Sequence, residues 1–452
     1  MRMDYSAKHR KAALRVVFGM GWSLTCQIWL VMAVSSATAT GLDPDAVVLG
    51  PARQSAPCLS QDSSREIRAR LRMTVENLTQ RGILAAEPLA SSTTRTGAMA
   101  WPVAPPEGLS LPGIHGIGAF VDHNPSYPSQ LLDYECGGRT YDTASGANHR
   151  GTDIFPWPFG WYRMEHTPVV IRAALPGTII GKDDGNFDRS CGFTSTPWNA
   201  VYVRHADGST LWYGHMKSGS LTTKSVGETV TEGDYLGAVG SSGSSTGPHL
   251  HLELHDAHDN VIDPYAGACN NTTAESWWQG QRPYVDSTIN LVATHDERPE
   301  FPSCPQAEVP HIQDVFQPGQ QVTFAVYYRD PRSWLTSTYS VVKPDGGVQW
   351  TWQYAPTVDT YSVAGFVWQA TLSAGAPLGS WRFKVSFLGQ DYEHMFNVGT
   401  EPTATPTPTS GPTVTPTPTM TAVPAAGGGA VSTLVLLIGV LFMNMRRRPR
   451  LG

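Results

Sequence analysis

The sequence has no basic stripe. Its 32 Lys and Arg are outweighed by 38 Asp and Glu, and the basic clusters that occur lie at the two termini, where they read as flanks of membrane-targeting segments. Nucleic acid is therefore not expected as a partner. Long helical periodicities are scarce while Gly, Pro, Trp and Tyr are plentiful, which predicts a β-rich chain with many turns. Cysteine is sparse, six in 452 residues, and none falls in a CxxC or Cys/His spacing, which argues against a cysteine-built zinc site. The length exceeds one ordinary domain, so two or three folded units with tails are expected.

What is present divides the chain. Arg2, Lys8, Arg10, Lys11 and Arg15 precede an apolar stretch from Val16 to about Val34, and Ala37-Thr38-Ala39 supplies a small-residue cleavage pattern. Residues 1–39 are thus expected to be a secretory signal peptide, an uncleaved N-terminal anchor being the alternative. Export makes disulfides available. With Cys26 inside the signal, chain proximity pairs Cys136 with Cys191 and Cys269 with Cys304, and leaves Cys58 over.

Residues 40–111 are expected to form a pro-segment or docking region with one helix. Ser63 with Glu66 makes a capping-box pattern, Ile67, Leu71, Val75 and Leu78 form an apolar stripe, and Gly82 sits where a C-terminal cap belongs. Residues 112–270 are dense in short β-branched and aromatic runs between Gly and Asp turns, the signature of a compact antiparallel β domain. A connector, 271–315, leads to 316–399, where "QQVTFAVYYRD", "VQWTWQY" and "GSWRFKVSFLG" alternate apolar and polar residues; an immunoglobulin-like β-sandwich with a binding or spacer role is expected. A Pro/Thr-rich stalk, 400–424, cannot form a core and precedes an apolar span, 425–445. With the basic tail 446–452, that span reads as a C-terminal transmembrane anchor or as a sorting signal cleaved on its glycine side.

Three stretches in the β domain carry chemistry. "GPHLHLEL" is a strand in which His249 and His251 share one face while Leu250, Leu252 and Leu254 share the other. "NHRGTDIF" sets His149 four residues before Asp153, and "LWYGHM" carries His215. A catalytic zinc site needs imidazole nitrogens and a carboxylate oxygen at about 2.0 to 2.2 Å, with one position left for water. His149, Asp153 and one histidine of the 249/251 pair make such a set; the residues alone do not say which one. Taken singly each stretch has a plain reading: a turn in which Asp153 binds backbone amides, a core histidine at 215, a strand presenting histidines to water. Glu253 shares the histidine face and is expected to be a solvated carboxylate or a partner of a ligand. The stretch "NFDRSCGFTSTPW", between Gly185 and Asn199, is longer than a tight hairpin needs and is expected to shape a groove rim.

"HRGTD", "YGHM" and "SSGSSTGPHLHLEL" together resemble the lysostaphin-like (LytM-type) zinc metallopeptidases, which cut peptide cross-links in bacterial cell walls, often at glycyl bonds. The resemblance covers about residues 145 to 265. It implies a small β barrel-sandwich with an open groove, one Zn2+ held by His149, Asp153 and His251, and His215 and His249 as catalytic groups off the metal. The substrate it implies is the peptide part of peptidoglycan. A Gly-rich extracellular protein as substrate is the alternative, and a non-catalytic wall-binding relative is a third reading. The location that follows is the outer face of a bacterial envelope, with membrane contact through the C-terminal span.

Overall fold

The computed structural model describes residues 45–47, 59–85, 97–143, 146, 148–357 and 362–399. The expected signal peptide, stalk, C-terminal span and basic tail, and Cys58, lie outside them. Among the described residues no helix is long and apolar enough to cross a membrane.

The alternation seen in the sequence builds a mostly β chain. One antiparallel sheet runs in the order His115–Ala119, Thr152–Pro156, Leu250–His255, Thr210–Gly214, Ala200–Arg204, Gly177–Asp183 and Thr229–Val230, with Val261–Ile262 beside Leu250–His255. Leu250, Leu252 and Leu254 point to one face and enter a core shared with Ile154, Val203 and Tyr213. A second sheet, Tyr235–Ala238, Val170–Arg172 and Val103–Ala104, adds Leu236, Ile171 and Val103 to the same core from the other side. Burial of this core from two sheets is the main force holding the layers together.

The expected helix forms, Gln61–Gln80, but its cap is Ser60, whose side chain accepts from the Ser63 amide. The capping-box assignment to Ser63 is corrected by one helical turn. Gly82 adopts φ +72°, and the amides of Gly82 and Ile83 bond the carbonyls of Thr79 and Leu78, a Schellman closure that favours glycine. The stripe then packs on the sheet, Leu71 and Leu78 against Ile180, Tyr202 and Trp212. Trp212 is the register partner of Glu253, so the helix covers one end of the face that also carries His251.

Two further sheets face each other across Phe324, Trp368, Phe383 and Phe396. One holds Asp45–Val47, Val363–Thr371, Gln321–Arg329 and Thr288–His295; the other Val315–Phe316, Gln390–Val398, Gly379–Phe387, Ser337–Val342 and Val348–Tyr354. Thr288–His295 lies inside the segment read as a connector, yet it pairs along its length with Gln321–Arg329. Asn290, Thr294 and His295 are buried and each makes a hydrogen bond outside the strand, which hides the strand pattern. Asn290 Nδ2 donates to the carbonyls of His115 and Trp157 at 2.8 and 3.1 Å, and His295 Nδ1 donates to the Pro310 carbonyl at 2.6 Å. Trp157 and Phe159 pack on Tyr327, Val363 and Val367, which joins the sandwich to the first two layers.

The disulfides are Cys136–Cys269 and Cys191–Cys304, not the pairs nearest in sequence. The fold brings Cys136 to Cys269 by docking the 133–139 turn on residues 263–272, where the Cys269 amide bonds the Tyr134 carbonyl at 2.9 Å.

Candidate metal centre

Register sets the site. Asp153 on Thr152–Pro156 is opposite His251, and His251 is opposite Gly214, so three adjacent strands present consecutive positions to one face. His149 approaches from the loop before Asp153, and its ring is oriented by donation from Nδ1 to the Phe120 carbonyl at 2.6 Å and by stacking on Tyr141. This leaves His149 Nε2 3.1 Å from Asp153 Oδ1. His251 Nδ1 lies 2.9 Å from the same oxygen and 3.3 Å from His149 Nε2.

These separations test a metal. Bonds of about 2.0 to 2.1 Å in a tetrahedron give ligand edges of roughly 3.3 Å, and the observed 2.9 to 3.3 Å edges are close to that. His149, Asp153 and His251 are all buried, and the potential ligand atoms lie within 4.8 Å of one another. Asp153 Oδ2 is buried without a hydrogen-bond partner, a costly state for a carboxylate oxygen that a cation would relieve. The donor set of two nitrogens and one oxygen suits a divalent zinc ion. Burial opposes the charge of Asp153, yet His149, His249 and His251 around it hold its carboxyl well below the usual range.

His249 and His215 stand beside this set. His249 Nδ1 donates to the Gly247 carbonyl at 2.8 Å, and its Nε2 lies 3.7 Å from Asp153 Oδ1. His215 Nδ1 donates to the Ser242 carbonyl at 2.6 Å, and the two rings are 4.4 Å apart. A carbonyl can only accept, so both imidazoles carry their proton on Nδ1 when neutral, with Nε2 unprotonated. His215 holds φ +59°, a conformation that costs energy in a non-glycine residue and is often found at functional sites. Two glycines make these approaches feasible. A Cβ on Gly151 would lie 2.6 Å from the Leu252 carbonyl oxygen and 2.8 Å from His251 Nε2, and one on Gly214 would lie 2.3 Å from the Trp198 ring.

Sequence reasoning missed several neighbours. Trp198, from the stretch quoted as a rim loop, meets His215 edge-on with ring centroids 5.2 Å apart and lies 5.9 Å from His251. Its Nε1 donates to Tyr202 Oη at 2.9 Å, so Trp198 separates the docked helix from the histidines. Tyr141 and the Phe120 carbonyl left no local signal, since contacts this distant in sequence have no periodicity to read. Glu253 is not solvated: it is 1 % exposed. Burial opposes its charge, but Arg150, His251 and His255 hold its carboxyl well below the usual range.

Comparisons with known proteins find matches to the stretch that carries these residues. Residues 148–264 match the family described as Peptidase family M23. The chain is 46% identical over 87 residues to the DD-carboxypeptidase/endopeptidase Mpg of Neisseria meningitidis serogroup B, covering 19% of this chain and 17% of that one. It is 33% identical over 106 residues to the peptidoglycan DD-endopeptidase ShyC of Vibrio cholerae, covering 24% and 20%. The chain therefore spans about a fifth or less of the length of these relatives. Among solved structures it is similar to the catalytic domain of the prophage-encoded M23 protein EnpA from Enterococcus faecalis, with a TM-score of 0.21, 27% identity, and coverage of 31% of this chain and 95% of that one. A zinc-containing peptidase from Vibrio cholerae is similar with a TM-score of 0.24 and 19% identity, over 37% and 39% of the two chains. Residues 148–264, which carry all five histidine and aspartate positions of the site, form a domain of peptidase family M23.

Proposed function

We propose that this protein is an exported zinc endopeptidase that hydrolyses peptide bonds in peptidoglycan cross-links. The observation that carries the reading is the convergence of His149 Nε2, Asp153 Oδ1 and His251 Nδ1 with the rings of His249 and His215 beside them. Two disulfides support export, since such bonds persist in oxidising compartments. The names of the relatives support the substrate class. The signal peptide and the immunoglobulin-like character of the second sandwich belong to the same proposal.

His149, Asp153 and His251 would hold the ion. When bound, zinc supplies Lewis acidity at the scissile carbonyl and lowers the pKa of water toward about 7. His249, whose Nε2 lies 3.7 Å from Asp153 Oδ1, accepts the proton of the attacking water, and its Nδ1 bond to Gly247 keeps that nitrogen directed. His215, whose ring lies 4.4 Å from that of His249 and 5.9 Å from that of His251, stabilises the negative charge that develops on the carbonyl oxygen. Burial of all five side chains lowers the local dielectric and strengthens each of these interactions.

The test is release of peptide fragments from purified peptidoglycan by the full chain with zinc, with a chelator, and with His249→Ala. Metal-dependent release that the substitution removes is expected. No release by zinc-loaded protein would overturn the wall reading, and parallel cleavage of a Gly-rich protein would then redirect it.

A further inference from the structure

The metal centre continues beyond its ligands. Glu253 follows His251 by two residues on the same strand face. Its Oε2 accepts from His251 Nε2 at 3.2 Å, on the side of the ring away from Asp153. Arg150 Nε donates to Glu253 Oε1 at 2.9 Å, and His255 Nε2 lies 3.0 Å from the same oxygen. His255 is itself fixed, stacked on Trp212 at 4.5 Å and with Nδ1 3.4 Å from Asp259 Oδ1. Asp259 in turn faces Arg68 and Arg72 of the docked helix at 3.8 and 3.4 Å.

An imidazole that binds a metal through Nδ1 must keep its proton on Nε2. A carboxylate that accepts from that proton fixes tautomer and ring orientation and makes the ligand nitrogen more basic. We propose that Glu253 is the positioning residue of the metal centre, holding His251 for ligation through Nδ1, and that Arg150 and His255 hold Glu253. Arg150 lies between His149 and Asp153 in sequence, so this contact ties the two ligand-bearing motifs together across the strand pair. Glu253 acts through His251 and does not touch the reacting atoms. The inference rests on the reading of His149, Asp153 and His251 as metal ligands.

The experiment measures zinc affinity of the full chain by competition with a chromophoric chelator. Glu253→Gln keeps the shape and removes the charge, and roughly 10- to 100-fold weaker binding is expected. Glu308→Gln alters a carboxylate elsewhere, one that accepts from the Tyr162 amide, and should leave affinity unchanged. A folded Glu253→Gln protein binding zinc within twofold of the parent overturns the proposal while the metal reading stands; failure of the parent to bind zinc overturns both. Long-range 1H–15N spectra of the zinc-loaded parent give a second arm that needs no variant. A metal-shifted Nδ1 and a protonated Nε2 at His251 are expected, and a metallated Nε2 overturns the assignment even if the variant does not fold.

Discussion

Removing Cys136–Cys269 by the double substitution Cys136→Ser and Cys269→Ser should destabilise the protein through its unfolded state. The bond links residues 133 apart in sequence. In the chain-entropy description the stabilisation grows with the logarithm of that span, which gives about 4 to 5 kcal/mol at 25 °C. Native contacts cannot compensate, because the gain in freedom belongs to the unfolded chain. They do keep the region docked while the protein is folded. Asp133 accepts from the amides of Glu135, Gly137 and Arg139 and from Tyr284 Oη, and Phe120, Tyr134 and Tyr265 pack ring on ring. The folded variant should therefore retain zinc and activity at 25 °C. Urea unfolding followed by tryptophan fluorescence reads the loss directly. Since whole-protein stabilities are about 5 to 15 kcal/mol, the midpoint should fall steeply. A loss below about 1 kcal/mol would refute the reasoning, because the ends would then have to be constrained in the unfolded chain without the bond.

His215→Ala and His249→Ala should each lower cleavage by roughly 100- to 10,000-fold while zinc content, measured by metal analysis, stays at the parental level. Zinc lost in step with activity would make either residue a ligand instead. Leu78→Ala removes a side chain that is 1 % exposed under the helix and should cost about 3 kcal/mol in denaturant unfolding; a change under about 1 kcal/mol would mean that the helix is not held by its stripe. Acid sensitivity should come in part from His295, whose burial pulls its pKa down to about 4. The folded state keeps this ring neutral while the unfolded chain protonates it near 6.5. Its contribution is thus complete above about pH 6.5 and is lost as pH falls toward 4, by up to roughly 3 kcal/mol. A flatter stability profile over that range in His295→Gln would bear this out, and an unchanged profile would not.

The parts of this molecule legible in sequence are those with short-range periodicity. Leu250, Leu252 and Leu254 alternate with His249, His251 and Glu253, so both the strand and its polar face could be read before the fold was known. The helix was equally plain, because Leu71 and Leu78 recur at helical spacing, although its cap lay a turn earlier at Ser60. Thr288–His295 escaped notice because Asn290, Thr294 and His295 are polar and yet buried, and their hydrogen bonds reach residues far away in the chain. The disulfide partners depend on the same long-range geometry. Local sequence also could not tell that Glu253, a charged residue by composition, would be enclosed by Arg150 and two histidines.

The side chain of Asn290 has a mechanical consequence. It spans the seam between the sandwich and the sheet of the metal centre, with two bonds to main-chain carbonyls, and Trp157 and Tyr327 fill the joint beside it. A module on a loose hinge would sample many orientations and let its catalytic end wander. Here the buried seam instead couples the two parts, so that loosening it at Asn290 would disturb the sandwich and the strand of His115 together.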